Sequence, residues 1–277
     1  KFMILMRISG TVKGIPQNGN LPQNKGVRMK ILVIGESCKD VFTYGTCPRL
    51  TPEAPVPVFN PVETIENGGM AKNVQKNILA FGVECHLLTN ENWQNIKKTR
   101  YIEQRSNHMF LRVDYNDEDY GEVNIKDLNY DIYDAVIISD YNKGFLSEED
   151  IRTISLSHKN TFLDTKKFLG EWCENITYVK INNFEYERTK HKLNKKIRKN
   201  LIVTLGSQGA LHNNITYPVE KVEIKDVAGA GDTFVSALAV KYTGTHNISE
   251  SIEYANNCAT KVVQKRGVSV FGKGDKE

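Results

Sequence analysis

A loop of small residues that carries one carboxylate runs directly into an apolar, helix-forming segment at residues 226–239, D-V-A-G-A-G-D-T-F-V-S-A-L-A. Backbone N–H groups at the start of a helix can bind an anion, and the helix dipole adds to the attraction. Gly229 and Gly231 let the backbone approach that anion closely. Asp232 could accept a proton from an attacking hydroxyl, so the segment predicts phosphoryl transfer. The alternative is a glycine-rich turn in which Asp232 only caps the helix.

Two further segments place polar side chains at the start of a predicted helix. Gly68 and Gly69 open a helix that carries Asn73, whose amide can both donate and accept hydrogen bonds. A tight turn followed by a polar helix face explains these residues equally well. Asn182 and Glu185 stand at a strand-to-helix junction. Oxygen groups at that spacing can orient Mg²⁺ through water, but an N-cap residue with its capping-box glutamate has the same spacing.

Composition and charge indicate an ordinary globular protein. The 277-residue chain is 40% hydrophobic and 25% charged, and its net charge of +4 is too small to favour nucleic acid as a partner. A phosphorylated, acidic substrate is compatible with that charge. The five cysteines are scattered without a C-x-x-C pair, which is typical of reduced thiols in a cytoplasmic protein. No apolar run approaches the ~20 residues that span a bilayer.

Hydrophobic runs and turn residues predict an alternation of strands and helices. Strands are expected at 30–34, 84–88, 135–139, 161–163, 178–181 and 201–205, with short edge strands at 56–59 and 62–65 and a hairpin at 98–105 and 109–114. Helices are expected at 70–81, 147–157, 183–199, 231–242 and 249–265. This alternation favours a mostly parallel sheet with helices on both faces, with ligands outside the carboxyl ends of the strands.

The first 28 residues differ from the rest of the chain. Residues 11–28 are rich in Gly, Asn, Gln and Pro and have no hydrophobic periodicity. We expect residues 1–28 to be a leader or variable extension, either disordered or left over from cloning, and residues 29–277 to form the folded domain.

Taken in order, the motifs resemble those of the PfkB (ribokinase-like) carbohydrate kinases. Residues 226–239 resemble the C-terminal signature of that family, and residues 68–77 followed by Gly82 resemble its N-terminal signature. Asn182-x-x-Glu185 resembles the N-x-x-E magnesium motif, and residues 204–209 resemble the nucleotide loop. The likeness extends over about residues 29–272.

Four further runs are similar to the heptose-7-phosphate kinase branch, the kinase domain of the ADP-heptose synthesis enzymes. They are R-L-T-P-E-A-P-V-P-V at 49–58, L-R-V-D at 111–114, S-D-Y-N-K-G at 139–144 and D-T-K at 164–166. The resemblance implies a ribokinase-like three-layer α/β sandwich with a mostly parallel central sheet and a small β lid near 41–66 and 98–114. It also implies ATP and Mg²⁺ as cofactors, a sugar or sugar phosphate as substrate, and a homodimer that pairs through the lid.

The resemblance implies a role for individual residues as well. Asp232 would be the catalytic base, and the anion hole would be made by the amides of Gly229, Ala230 and Gly231. The sugar hydroxyls would be held by Asp40, Gly68, Gly69 and Asn73. Arg100 and Arg112 are candidates for closing on the sugar or its phosphate, because guanidinium groups bind phosphate bidentately. Mg²⁺ would be positioned by Asn182 and Glu185. The ATP pocket would be lined by Lys166, Thr204, Gly206, Gly209, Asn256 and Gly267.

The sequence departs from the family pattern in three places. Gly35 is followed by Glu36 where the family has G-D, and Ala228 stands where the catalytic loop has D-V-T. Residues 89–97 form one short connection where the family has a longer stretch with a helix. Because that stretch flanks the substrate site, this difference bears on the substrate more than on the chemistry.

We therefore expect an ATP-dependent kinase of a sugar hydroxyl, with a substrate such as a heptose 7-phosphate. A ribokinase-type or nucleoside-type kinase of an unphosphorylated substrate is the alternative. A non-catalytic sugar- or nucleotide-binding protein is disfavoured because Asp232, Asn182 and Glu185 are all intact. A dinucleotide-dependent oxidoreductase is disfavoured because residues 35–40 are not G-x-G-x-x-G.

Overall fold

The computed structural model describes residues 29–272 and residue 275, so the extension expected at residues 1–28 lies outside the described residues. The described strands are β1 (Lys30–Gly35), β2 (Ser37–Thr46), β3 (Asn60–Met70), β4 (Glu84–Leu88), β5 (Lys97–Glu103), β6 (His108–Tyr115), β7 (Ala135–Asp140), β8 (Thr161–Thr165), β9 (Tyr178–Asn182), β10 (Leu201–Thr204), β11 (Ala210–His212) and β12 (Ile215–Tyr217). The α-helices are α1 (Ala71–Ala80), α2 (Glu148–Ser157), α3 (Asn183–Thr189), α4 (Lys195–Asn200), α5 (Ala230–Thr245) and α6 (Ile248–Val262).

Eight strands form the large sheet, in the order β12-β11-β10-β9-β8-β7-β1-β4. The six strands from β10 to β4 are parallel to their neighbours, whereas β11 and β12 are antiparallel. Alternate residues of β1 enter two different cores. Ile31 and Val33 pack with α1, α5 and α6, and Leu32 and Ile34 pack with α2 on the other face. Burial on both faces explains why the strand is apolar without alternation.

Four strands form a second, small sheet in the order β3-β2-β5-β6. Phe42, Tyr44 and Ile102 on this sheet pack against Ala228 and Val268, which belong to the large domain beside α5. One face of the small sheet therefore lies over the loop that precedes α5. We call it the inner face.

Two predictions of secondary structure are wrong. The strand expected at 56–59 is absent, and Pro57 makes only an isolated bridge to Leu50, whereas the strand expected at 62–65 lies within the longer edge strand β3. Proline has no N–H to donate to a ladder, and pairing with β2 begins at Asn60, where Pro61 lies beside a register shift at Gly45. The helix expected at 183–199 is broken, because α3 ends at Thr189 and Asn194 starts α4 by accepting a hydrogen bond from the N–H of Ile197 at 3.0 Å.

The other predicted helices and the strands of the parallel sheet are present with shifts of a few residues at their ends. Within the described part of the chain, all five cysteines are free thiols. None of the helices found there is long and apolar enough to cross a bilayer.

Candidate active site

The start of α5 has no side-chain cap. Gly229 occupies the N-cap position with φ 81°, in the left-handed region that favours glycine. A Cβ atom at Gly229 would lie 2.9 Å from Nδ2 of Asn73, and a Cβ at Gly231 would lie 2.9 Å from Nζ of Lys180. The N–H of Ala230 donates to the carbonyl of Val227 at 3.3 Å, a turn contact near the distance limit. Glycine at 229 is therefore favoured by the left-handed backbone and by its close neighbour, and glycine at 231 by the close approach of Lys180.

Asp232 lies in the first turn of α5 and is only 8% exposed. Its Oδ2 accepts a hydrogen bond from Nδ2 of Asn73 at 2.6 Å, and its Oδ1 accepts one from the hydroxyl of Tyr141 at 3.2 Å. Burial raises the pKa of Asp232 to about 6, and the hydrogen bond from Asn73 opposes that rise. The structure thus brings together two predicted residues, Asp232 and Asn73, that are far apart in the chain.

One polar atom of the Asn73 side chain is available to a ligand. Its Oδ1 is buried and has no hydrogen-bond partner among the described residues. Its backbone carbonyl accepts from Nδ2 of Asn77, whose Oδ1 accepts in turn from the hydroxyl of Thr233 on α5. These bonds tie α1 to α5 and fix Asn73 beside Asp232, with an acceptor left for a ligand.

Sequence reasoning missed a buried ion pair that lies behind residues 226–231, which we call the anion loop. Nζ of Lys180 lies 2.7 Å from Oδ2 of Asp164, and both side chains are less than a tenth exposed. The charges of both residues act on the pKa of Asp232, Asp164 raising it and Lys180 lowering it. The only signal in the sequence is a lysine inside the apolar strand β9, since its partner is 16 residues away. Tyr141 was missed as well, although it stands in the S-D-Y-N-K-G run.

The junction of β9 and α3 is a complete capping box. Oδ1 of Asn182 accepts from the N–H of Glu185 at 2.9 Å, and Oε2 of Glu185 accepts from the N–H of Asn182 at 2.8 Å. The remaining oxygen of Glu185 accepts from Nζ of Lys166. The capping alternative is therefore present in the structure.

Lys166 stands between two carboxylates. Its Nζ contacts Glu185 and lies 3.9 Å from Oδ1 of Asp164, a buried atom that makes no hydrogen bond among the described residues. Although burial acts to lower it, the pKa of Lys166 is raised by the charges of Asp164 and Glu185. Among residues 29–272 and 275, no group of three or more His, Cys, Asp or Glu side chains is placed to hold a metal ion.

The predicted sugar-binding residues meet where β2 crosses the start of α1. Oδ1 of Asp40 accepts from Nη1 of Arg100 at 2.6 Å, and Arg100 also lies over the ring of Phe42. A Cβ at Gly69 would lie 2.6 Å from Oδ2 of Asp40. A Cβ at Gly68 would collide instead with the side chain of Lys72. Glycine at 69 is what permits the close approach to Asp40.

Arg112 is the cross-strand partner of Arg100 in the β5–β6 ladder, so both side chains lie on the inner face of the small sheet. Arg112 donates from Nε and Nη2 to the two carboxylate oxygens of Asp114, at 2.7 and 2.8 Å. Each arginine is thus held by one carboxylate.

The predicted ATP-binding residues fall into three places. Lys166 lies beside Glu185, as described. The loop after Thr204 is closed by glycines with positive φ at 206 and 209, and a Cβ at Gly209 would lie 2.0 Å from the carbonyl oxygen of Tyr217. Asn256 is buried and donates to that same carbonyl at 2.8 Å, so its amide supports the loop.

Gly267 belongs to the third place, beside the anion loop. Its N–H donates to Oδ2 of Asp226 at 3.1 Å, and the other oxygen of Asp226 accepts from the N–H of Ala228. A Cβ at Gly267 would lie 3.2 Å from the hydroxyl of Tyr44 on the small sheet. Gly267 therefore connects the anion loop with the small sheet.

Comparison with known proteins shows which family the chain resembles. The family model for pfkB family carbohydrate kinases matches residues 164–271, which contain Asp164, Lys180, Glu185 and Asp232. The bifunctional protein HldE of Nitratiruptor sp. is 31% identical over 294 residues, which cover 88% of this chain and 63% of that protein. Residues 164–271 thus resemble the pfkB carbohydrate kinases, and this chain spans 63% of the length of the HldE relative.

Solved structures show the same fold. A ribokinase from Thermotoga maritima superposes with a TM-score of 0.68 at 16% identity, covering 90% of this chain and 98% of that one. A ribokinase from Arabidopsis thaliana, complexed with ribose and ATP, superposes with a TM-score of 0.63 at 13% identity, covering 87% of this chain and 94% of that one. The predicted ribokinase-like α/β fold is confirmed.

Proposed function

We propose that this chain is a carbohydrate kinase of the pfkB type, which transfers the γ-phosphoryl group of ATP to a hydroxyl of an already phosphorylated sugar, such as a heptose 7-phosphate, with Asp232 as the general base. The observation that carries the proposal is the buried carboxylate of Asp232, held by Asn73 and Tyr141 at a helix start that has no side-chain cap. Phosphoryl transfer needs little more from a protein than positioning, charge stabilisation and a proton acceptor.

Asp232 has the properties of a general base at neutral pH. A carboxylate with a pKa of about 6 is largely ionised at pH 7 and still has a useful affinity for a proton. Asn73 and Tyr141 approach its two different oxygens, and each oxygen has a further lone pair for the substrate hydroxyl. The free Oδ1 of Asn73 would accept a hydrogen bond from a second hydroxyl of the sugar and so orient it.

The anion loop would hold the phosphoryl group as it moves. The N–H groups of Gly229 and Gly231 stand at the positive end of α5, and Nζ of Lys180 lies directly behind Gly231. The weak turn bond of Ala230 makes its N–H the least available of the three predicted amides. Fixed donors of this kind stabilise negative charge that develops in the transition state.

The donors around Lys166 fit ATP with a hydrated Mg²⁺. Glu185 and the unpartnered Oδ1 of Asp164 are oxygen groups on either side of Lys166, and the capping box holds Glu185 rigidly. These two carboxylates would orient waters around the ion, and Lys166 would contact the phosphates of ATP. When bound, Mg²⁺ would neutralise part of the negative charge on the phosphates of ATP. The ATP complex of the Arabidopsis ribokinase supports ATP as the donor.

A phosphorylated sugar is supported by the motifs at 49–58 and 139–144 and by the similarity to HldE. Asp40, Gly69 and Asn73 would hold its hydroxyls. Arg100 and Arg112 would close over it from the inner face of the small sheet, which would act as a lid. An unphosphorylated sugar is the second candidate, because Arg100 and Arg112 are each already engaged by a carboxylate.

We further propose that the small sheet pairs with a second copy of the chain. Leu111, Val113 and Tyr115 alternate with Arg112 and Asp114 along β6, so they lie on the outer face, where all three are exposed. An exposed apolar strand face is a ready surface for a partner. A monomer at micromolar concentration in light scattering would contradict the dimer. ATP chemistry and free thiols together favour a cytoplasmic location.

The proposed function is tested by ADP release with Mg-ATP on matched pairs of sugar phosphates and their unphosphorylated parents. We expect a heptose or hexose phosphate to have a kcat/KM at least ~10-fold above that of its parent, as a charge-assisted contact to the phosphate would give. A preference for the parent sugar would replace the proposal with a ribokinase-type activity. Absence of ADP release with every sugar would contradict a sugar kinase altogether.

A further inference from the structure

A second group of cations lies on the inner face of the small sheet, next to Asp40. Lys98 is the neighbour of Asp40 in the β2–β5 ladder, and Lys143 comes from the loop after β7. Both ammonium groups contact the same carboxylate: Nζ of Lys98 lies 3.0 Å from Oδ1 of Asp117, and Nζ of Lys143 lies 2.7 Å from Oδ2. The small sheet and the large domain are joined by this pair of contacts.

The lysine pair has fewer counter-charges than the arginines beside it. Arg100 has Asp40 and Arg112 has Asp114, one carboxylate for each cation. Lys98 and Lys143 share Asp117, which also accepts from the hydroxyl of Tyr120. Although burial acts to raise it, the hydrogen bonds from Lys143, Tyr120 and Lys98 lower the pKa of Asp117 to about 2, so this carboxylate stays ionised and contributes a single negative charge.

The two lysines are largely withdrawn from solvent. Their side chains are 8% and 32% exposed for Lys98 and Lys143, and that of Asp117 is 16% exposed. The other acids near this loop are Glu36 and Asp140. The buried carboxylate of Glu36 accepts from the backbone N–H groups of Tyr141 and Lys143, while Asp140 accepts from the N–H of Asn142 and pairs with Lys167. Glu36 is thus committed to the backbone. Burying a cation without its own counter-ion is unfavourable, so a ligand that brings negative charge would be bound strongly here.

The position of the pair relative to Asp232 matches the far end of a sugar. Tyr141 and Lys143 belong to one loop and their Cα atoms are at most ~7 Å apart. The hydroxyl of Tyr141 contacts Asp232, while Nζ of Lys143 contacts Asp117. Asp40, the residue expected to hold the sugar in between, lies beside Lys98. A sugar with its reacting hydroxyl at Asp232 would extend past Asp40 toward the two lysines.

We propose that Lys98 and Lys143, held in place by Asp117, bind the phosphate that the sugar substrate already carries. The inference rests on the proposed function, a kinase of a sugar phosphate, and assigns the recognition of the phosphate to these lysines rather than to Arg100 and Arg112. A phosphate monoester carries close to two negative charges near neutral pH. It supplies the missing counter-charge, and its oxygens accept from both ammonium groups without displacing Asp117.

The test compares kcat/KM on a sugar phosphate and on its unphosphorylated parent for the wild type, Lys143→Gln and Lys98→Met. Lys39→Gln is the matched control. Lys39 precedes Asp40 in β2, and its ammonium group pairs with Glu66 rather than with Asp117. We expect Lys143→Gln and Lys98→Met to lose at least ~10-fold on the sugar phosphate and less than about two-fold on the parent. The control is expected to change neither.

Inorganic phosphate provides a second measurement that does not depend on the more buried Lys98. We expect it to inhibit the wild type competitively with the sugar phosphate, and we expect that inhibition to be weakened at least ~10-fold in Lys143→Gln. If the wild type prefers the sugar phosphate but both variants keep that preference, the lysine site is wrong while the proposed function stands. If the wild type prefers the parent sugar, the proposed function fails and the lysine site fails with it.

Discussion

The helices α3 and α5 both begin with an acidic residue in the first turn, yet the two acids are used in opposite ways. Glu185 of α3 turns back to the N–H of its own N-cap residue, Asn182, and completes a capping box. Asp232 of α5 makes no such bond. Its N-cap is Gly229, which has no side chain, and its carboxylate is held by Asn73 and Tyr141 from other elements.

The difference shows how one local pattern supports either structure or chemistry. A capping box satisfies the N–H groups of the N-cap residue and of the third helical residue, so fewer N–H groups remain for an anion. A glycine N-cap leaves those groups available, and the acid is free to face a substrate. In the proposed function, Glu185 would act on Mg²⁺ only through its carboxylate, whereas α5 would supply both an anion hole and a base.

The largest effect is expected from removing the charge of Lys180, which lies between the starts of α3 and α5. Lys180 is on β9, which leads into α3, and its Nζ lies against Gly231 of α5. Lys180→Met leaves the buried carboxylate of Asp164 with only the more distant ammonium of Lys166, 3.9 Å from its Oδ1, which should cost about 3–5 kcal/mol of the free energy of unfolding. Chemical denaturation measures this loss. A change below about 1 kcal/mol would mean that the pair does not contribute as described.

The second prediction concerns Asp232, the acid in the first turn of α5. Asp232→Asn keeps the shape of the side chain but removes the proton acceptor, so kcat should fall at least ~100-fold. The folded pKa of Asp232 lies above its unfolded value. Its protonated form therefore stabilises the protein below pH ~4, and that stability is lost as the pH rises through about 6. At pH 8 the Asp232→Asn variant should consequently unfold no more easily than the wild type.

Asp150→Asn is the matched control for Asp232→Asn. Asp150 lies in the first turn of α2 and closes a capping box with Ser147, far from the anion loop. Its loss should cost about 0.5–2 kcal/mol of stability and leave kcat unchanged. If both variants lose activity equally, the acid of α5 has no chemical role beyond that of a cap.

The third prediction concerns the glycine that replaces a cap. Gly229→Ala places a methyl group 2.9 Å from Nδ2 of Asn73, in a left-handed conformation that costs a non-glycine residue roughly 1–2 kcal/mol. We expect a loss of ~10-fold or more in kcat, because Asn73 must move away from Asp232. Gly121→Ala is the control, since its φ is also positive and its Cβ would meet nothing within 4 Å. It should be destabilised without losing activity.

The smallest effect is expected at the capped helix. Glu185→Gln weakens the capping box by about 1 kcal/mol and removes the charge beside Lys166. We expect the Mg²⁺ concentration for half-maximal activity to rise several-fold, because the outer-sphere carboxylate is lost. Asp150→Asn should show the same loss of stability with an unchanged Mg²⁺ titration. An unchanged titration for Glu185→Gln would remove Glu185 from the ion site.

The sequence predicts the large sheet well because its strands are buried on both faces and are therefore continuous apolar runs. It predicts α2, and it offers the capping box of Asn182 and Glu185 because those contacts join residues three apart. It does not reveal β2 as a ten-residue strand, since S-C-K-D-V-F-T-Y-G-T has no clean alternation. It also does not reveal that Lys180 belongs to the site, because its contacts with Asp164 and Gly231 depend on the packing of separate elements.

The candidate site is also only partly predictable from the sequence. Asp232 and Glu185 are visible as motif residues, but the residue at the N-cap decides which of the two carboxylates bonds to the start of its own helix. Glycine at 229 and asparagine at 182 are both compatible with a cap. Only the left-handed backbone at Gly229 and the hydrogen bonds from Asn73 and Tyr141 separate the two cases.

The most direct test of the base is the pH dependence of kcat in single turnovers at saturating Mg-ATP and sugar. Saturation removes the effect of pH on binding of the substrate, whose own phosphate ionises near pH 6. With a pKa of about 6, Asp232 must lose its proton to act, so kcat should rise about ten-fold per pH unit below that value and level off above it. A kcat that stays constant between pH 5 and pH 8 would contradict Asp232 as the general base.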